Sequence, residues 1–243
     1  MTMQTMLTDP LAAMLLAAAD DLLMLGHVQS DWTGLAPILE EDIAASAMAQ
    51  DDLSHALVIY EFLGGEHDLD PDTIAFDRNP EDYRCSDLVT VPDDFDWSIS
   101  LCKRWLVASY SKLGFDRFAT IEGDIGQRCA RLRDEAAIHV AHLNNWIIRL
   151  GTGSQESNER LQQAINKLIP EAGMLFEVPD AGLEQDESFC CGRQEIFEEW
   201  VDQNIATLSQ ANLQGTFTLP DREAVGGRRG IHADHFVEQF EEM

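Results

Sequence analysis

The chain has 243 residues, with 44 acidic side chains against 16 basic ones and a formal net charge of −28. It holds 24 Asp and 20 Glu but 13 Arg and only 3 Lys, and no Lys or Arg precedes Arg78. That balance excludes a protein that works by neutralising nucleic-acid phosphates or by docking on an anionic membrane surface, while a 45% hydrophobic content supplies a folded core.

In chain order, helical periodicity dominates. Pro10 opens the first helix with Asp9 as its N-cap, and apolar residues at Leu11, Met14, Leu15, Ala18, Leu22, Leu25 and Val28 form one stripe to about residue 31. The segment from Trp32 to Pro37 reads as a turn. A second helix follows over about 37–63, with Gly64-Gly65 as its stop. Residues 64–95, rich in Asp and Pro, read as a long connection with an extended piece at Leu88–Val91. A third helix is expected over about 96–122 and a fourth over about 125–150, then helices at about 157–176 and 195–209 and a tail over 226–243 ending in a short helix. Four long helices joined short, long, short define an all-α fold: a ferritin-like up-and-down four-helix bundle with one long crossover and extra C-terminal helices, expected as a single domain.

The apolar run Leu11–Ala19 has no basic start and is followed by Asp20-Asp21, so it does not read as a secretory signal, and no run approaches the ~20 apolar residues of a membrane span. Five cysteines, an odd number without CxxC, form neither a disulfide framework nor a zinc site. A cytoplasmic location is expected.

A carboxylate-bridged dimetal site in such a bundle takes one acid from each of two helices and Glu-x-x-His from each of the other two. The second helix carries Asp52-Leu-Ser-His55, the same spacing with a shorter acid, and the fourth carries Glu135 and His139 at i, i+4. The first offers Asp20 or Asp21. Counting the helical rise from the turn near residue 34 sets Asp52 about level with residues 16–20. On the third helix the level of Glu135 falls near residue 111, where Ala108 and Lys112 stand and no acid does. The third-helix ligand is therefore missing. Buried acids in a bundle also form salt-linked networks, His139 and His142 read equally well as core histidines, and His232-x-x-His235 reads as loop packing.

The segments LAAADDLLMLGHVQSDWTG (Leu16–Gly34), APILEEDIA (Ala36–Ala44), DTIAFDR (Asp72–Arg78), the run Glu156–Glu177 with QQAINKL and GMLFE, and GGRRGIHADH (Gly226–His235) before Glu241-Glu-Met243 together resemble the structural subunit of the ring 1,2-phenylacetyl-CoA epoxidase family. The resemblance implies a ferritin-like subunit with no catalytic, cofactor-binding or metal-binding residues of its own. It further implies that a homologous catalytic subunit holds the di-iron site and binds the acyl-CoA, that a small bridging subunit and a reductase complete a hetero-oligomer, and that the complex serves phenylacetate breakdown. One departure is Gln50-Asp51-Asp52-Leu-Ser-His55, which is closer to the catalytic subunit's QDExxH. If a metal binds, Asp20, Asp52, His55, Glu135 and His139 are the candidates. The alternatives are a stand-alone dimetal-carboxylate oxygenase or oxidase and a ferritin-like iron-handling protein. The acidity reads as a solvent face suited to a salty cytoplasm.

Overall fold

The computed structural model describes residues 6–179 and 192–243. The architecture is all-α, of the ferritin-like helical class expected from the sequence pattern, and no strand occurs among the described residues. In chain order the α-helices are α1 (Pro10–Ser30), α2 (Leu39–His67), α3 (Pro71–Phe76), α4 (Asp87–Thr90), α5 (Trp97–Phe118), α6 (Asp124–Gly151), α7 (Gln155–Ala172), α8 (Arg193–Gln210) and α9 (Asp234–Glu242). The chain divides into two compact units.

The first unit comprises Met1–Pro92, Glu177–Gly192 and Pro220–Met243. Its base is the α1–α2 helical hairpin. Asp9 caps α1 as expected, accepting from the backbone N–H of Leu11 and Ala12 at 2.9 and 3.3 Å. A Cβ on Gly26 would strike the Leu53 side chain at 2.7 Å, so glycine lets α1 and α2 close on each other here. Gly26 therefore lies level with Ala49 and Leu53, which corrects the counted register. Residues 31–38 belong to neither helix, and the slip leaves Asp52 about five residues, or ~7.5 Å, from the level of Asp20.

The connection after α2 differs from its sequence reading in three places. Helix α2 runs through both glycines to His67 and stops at Asp68, whose φ of 55° is left-handed. Helix α3 begins at Pro71 with the Asp70 carboxylate as its cap. Leu88–Val91 is not extended: Asp87–Thr90 is one helical turn with Leu88, Val89 and Thr90 buried. A β-branched run has no strand to pair with here, so a local turn satisfies its backbone. Helix α1 also corrects the sequence reading, since an 18-residue window of it, with mean hydropathy 1.6, is long and apolar enough by length and composition to cross a membrane. Of that window 72% is buried in the fold, and Asp20 and Asp21 sit within the helix, so its apolarity serves packing.

The second unit comprises Asp93–Phe176 and Arg193–Leu219. Helices α5 and α6 form a second hairpin, which α7 and α8 cover. Asp96 caps α5 through the Ser98 N–H at 2.8 Å. Ser154 and Ser157 form a reciprocal capping box on α7. Phe176, Phe197, Trp200 and Phe217 pack edge to face, with Trp200 to Phe217 at 4.8 Å between centroids.

Candidate functional site

The two adjacent acids of α1 are buried, Asp20 at 0% and Asp21 at 1% exposure. A helix whose other neighbours are Leu, Met and Ala cannot hold two carboxylates away from water unless both are matched. Each is matched by an arginine from a distant part of the first unit.

Asp20 accepts from Arg78 twice, Nη2 to Oδ1 at 2.5 Å and Nη1 to Oδ2 at 2.9 Å. It also accepts from the Tyr60 hydroxyl at 2.7 Å and the Arg84 backbone N–H at 2.6 Å. A carboxylate has about four lone-pair positions, so these bonds fill its capacity. Arg78 is itself fixed by the carbonyls of Ile74 and Asp82 and lies over the Tyr83 ring at 3.8 Å. Burial works against its charge, but Asp20 outweighs that and raises its affinity for the proton. Burial and the Asp20 charge push the Tyr60 hydroxyl well above its ordinary range, so it serves as a fixed donor.

Asp21 accepts from the Arg228 guanidinium at 2.6 Å and from the Ser86 N–H at 2.8 Å. Burial raises its pKa, and Arg228 opposes that shift. Arg228 also donates to the carbonyls of Ala17 and Arg84. Its own N–H and that of Gly226 reach the Glu177 carboxylate at 3.1 and 2.6 Å. A Cβ on Gly227 would collide with the Cys85 carbonyl, so the tail can lie this close only with glycine there. The tail is fastened again by Asp87, which accepts from the Ala233 N–H at 3.1 Å and faces His232 Nδ1 at 3.5 Å. His232 stacks on Phe236, and His235 meets the Asp87 carbonyl, which is the packing expected of this pair. Burial pushes the Asp87 carboxyl up, but His232, the Ala233 N–H and the charge of His235 outweigh it and hold it below the usual range.

The sequence-predicted metal candidates are thus dispersed in role. Asp20 is filled by Arg78, Tyr60 and Arg84. Asp52 and His55 are buried on α2 at 5% and 3% exposure. Glu135 is exposed on α6, against the inward orientation expected of a ligand, while His139 is buried. The α5 acid Asp116 pairs at the surface with Lys112 at 2.9 Å and Arg133 at 3.7 Å. Among the described residues no three His, Cys, Asp or Glu side chains form a group that could hold a metal ion. Cys85, Cys102 and Cys129 are buried free thiols whose pKa burial raises. Cys190 and Cys191 lie outside the described residues.

The sequence reading missed Arg78, Tyr60, Arg228 and Glu177 as partners. A usable signal was the scarcity of cations: the first basic residue of the chain is Arg78. It missed as well the full burial of Lys103 and Arg104 on α5.

Residues 1–243 match the model of a family described as phenylacetic acid catabolic protein. The chain belongs to that family. It is similar to the C component of the 1,2-phenylacetyl-CoA epoxidase of Escherichia coli (strain K12), at 28% identity over 245 residues, covering 97% of this chain and 95% of that one. Four of the segments that carry the family resemblance meet in the buried network. Leu16–Gly34 supplies Asp20 and Asp21, Asp72–Arg78 supplies Arg78, Glu156–Glu177 supplies Glu177, and Gly226–His235 supplies Arg228.

Proposed function

We propose that this chain is a non-catalytic structural subunit of a multicomponent 1,2-phenylacetyl-CoA epoxidase acting in phenylacetate breakdown, and that it works in the cytoplasm. In this reading it pairs with a homologous ferritin-like chain that holds the di-iron centre and takes the acyl-CoA, beside a small bridging subunit and a reductase. The similarity to a component of the Escherichia coli epoxidase supports the assembly. The observation that carries the non-catalytic role is the filled carboxylate of Asp20. A metal would have to displace a bidentate arginine and leave that cation buried without its counter-charge, at a cost of several kcal/mol (~3–5). With Glu135 exposed as well, the residues present do not fit a dimetal centre. The chain's contribution is then an acid-rich surface against which the catalytic chain is held.

One observation favours a second reading, a dimetal oxidase in its own right: Asp52 and His55 are both buried one turn apart on α2. Co-expression with the homologous catalytic chain separates the two. The expected result is a stable complex in which turnover needs both chains and the isolated chain is inactive. A monodisperse monomer with no affinity for that partner, or oxygen consumption by the chain alone, would overturn the structural-subunit reading.

A further inference from the structure

One face of α2 carries exposed apolar side chains, with Leu53 at its edge leaning on Gly26 of α1. Leu39, Ile43, Leu53 and Leu57 are 69%, 62%, 39% and 46% exposed. With Ser46 and Gln50 between them, the spacing along the helix alternates four and three. That is the seam of a left-handed coiled coil, and it lies across the helix from the buried Met48 and Ile59. It runs over about 18 residues, or ~27 Å. An isolated exposed leucine needs no explanation, but a heptad seam on a helix already buried on its other side marks a place for another helix.

The charges around the seam select the occupant. Glu40 and Glu61 border one side and Asp42 the other, and the whole α1–α2 hairpin contains no Lys or Arg. A second copy of this chain would set acids against acids. The middle layer of Ser46 and Gln50 is polar, and a polar layer inside an apolar seam fixes register and partner choice rather than strength.

We propose that this α2 face docks an amphipathic helix of a different protein chain, with apolar residues on its own heptad seam, a polar residue at the central layer and Lys or Arg along its borders. The proposal rests on the reading of the chain as a subunit of a hetero-complex and names the face and the chemistry of its contact. Apolar residues at the centre supply the affinity, and the acid-to-base borders supply orientation and encounter rate.

The test measures binding of the full chain to the co-expressed homologous ferritin-like chain by light scattering and titration. Ile43→Glu/Leu57→Glu is expected to weaken binding by at least about tenfold, with the melting temperature of the isolated chain unchanged. Leu39→Arg, at the most exposed position, is the second variant should the first disturb folding, since exposed substitutions have small effects on stability. Glu40→Lys/Glu61→Lys is expected to weaken binding about threefold at low salt, with the loss shrinking in high salt. Equal binding by wild type and all three variants overturns the assigned face and leaves the subunit reading intact. A homodimer of this chain dissolved by Ile43→Glu/Leu57→Glu overturns the assigned occupant. No binding by the wild type overturns the face and the subunit reading together.

Discussion

In the first unit the two adjacent acids of α1 are held by buried ion pairs. Arg78 meets Asp20 and Arg228 meets Asp21, with side chains at or below 2% exposure. In the second unit, which also buries Lys103 and Arg104, the indole N–H groups of the two buried tryptophans run to neutral partners. Trp105 donates to Asn144 at 2.7 Å, and Trp200 donates to Ser109 at 2.8 Å, which Asn204 also reaches. The first arrangement is demanding, because a buried ion whose partner is lost stays charged in a poor solvent. The second is forgiving, since a lost neutral hydrogen bond exposes only a modest desolvation cost. The first unit also draws its partners from far along the chain, Asp21 and Arg228 being 207 residues apart. Its network therefore closes only when hairpin, connection and tail are all in place. A subunit that must present an intact surface gains from such an all-or-none interior.

The largest effect that sharpens this contrast is expected from Arg228→Met, which strands Asp21. It should lower the unfolding free energy by about 3–5 kcal/mol in urea titration, and Asp21→Asn/Arg228→Met should recover part of that loss. A double variant no better than the single one would show that the pair is not coupled. Next comes Trp200→Phe, which keeps the aromatic packing and removes only the N–H. A loss of about 1–2 kcal/mol is expected, and a loss as large as that of Arg228→Met would erase the difference between the units.

Acid titration is the third way to probe the comparison. The folded state holds Asp87 below the usual carboxylate range. Its stabilisation is thus complete above that range and is lost as pH falls through it. Asp87→Asn should destabilise the chain at neutral pH, and its difference from wild type should shrink near pH ~3. Asp21 and Glu177 act in the opposite sense. Burial raises both, so the folded state takes up their protons first and gains relative stability as pH falls toward the usual carboxylate range. A difference between wild type and Asp87→Asn that grows on acidification would contradict the assignment. The smallest effect is salt: with a net charge of −28, melting should rise by a few degrees between about 0.1 and 2 M potassium chloride as self-repulsion is screened. A flat or falling trend would count against an acid-rich solvent face.

The long helices were legible because their apolar spacing, caps and glycine or proline stops are local. The Asp9 cap of α1 and the tail helix Asp234–Glu242 both follow from adjacent residues. Leu88–Val91 misled because a β-branched run favours a strand only where a partner strand exists. The register of α1 against α2 misled because the count takes residue 34 as a symmetric midpoint, whereas the contact of Gly26 with Ala49 and Leu53 sets the two helices offset along their axes. Most of the buried network was illegible for a different reason. Asp20-Asp21 stood out as two acids in an apolar helix, but which cation answers each is a matter of tertiary approach, decided by Gly227 letting the tail lie against Cys85 and by α3 aiming Arg78. The same acids in the same helix suit a metal or an arginine, and sequence spacing alone does not choose between them.

The most direct measurement is iron content. The isolated chain is loaded with ferrous iron without oxygen, desalted and analysed, beside its complex with the homologous catalytic chain. With Asp20 held by Arg78, Tyr60 and Arg84, the isolated chain should retain far less than one equivalent while the complex carries its iron in the partner. About two equivalents in the isolated chain would mean that the Asp20 clasp opens for metal, and the structural-subunit account would be wrong.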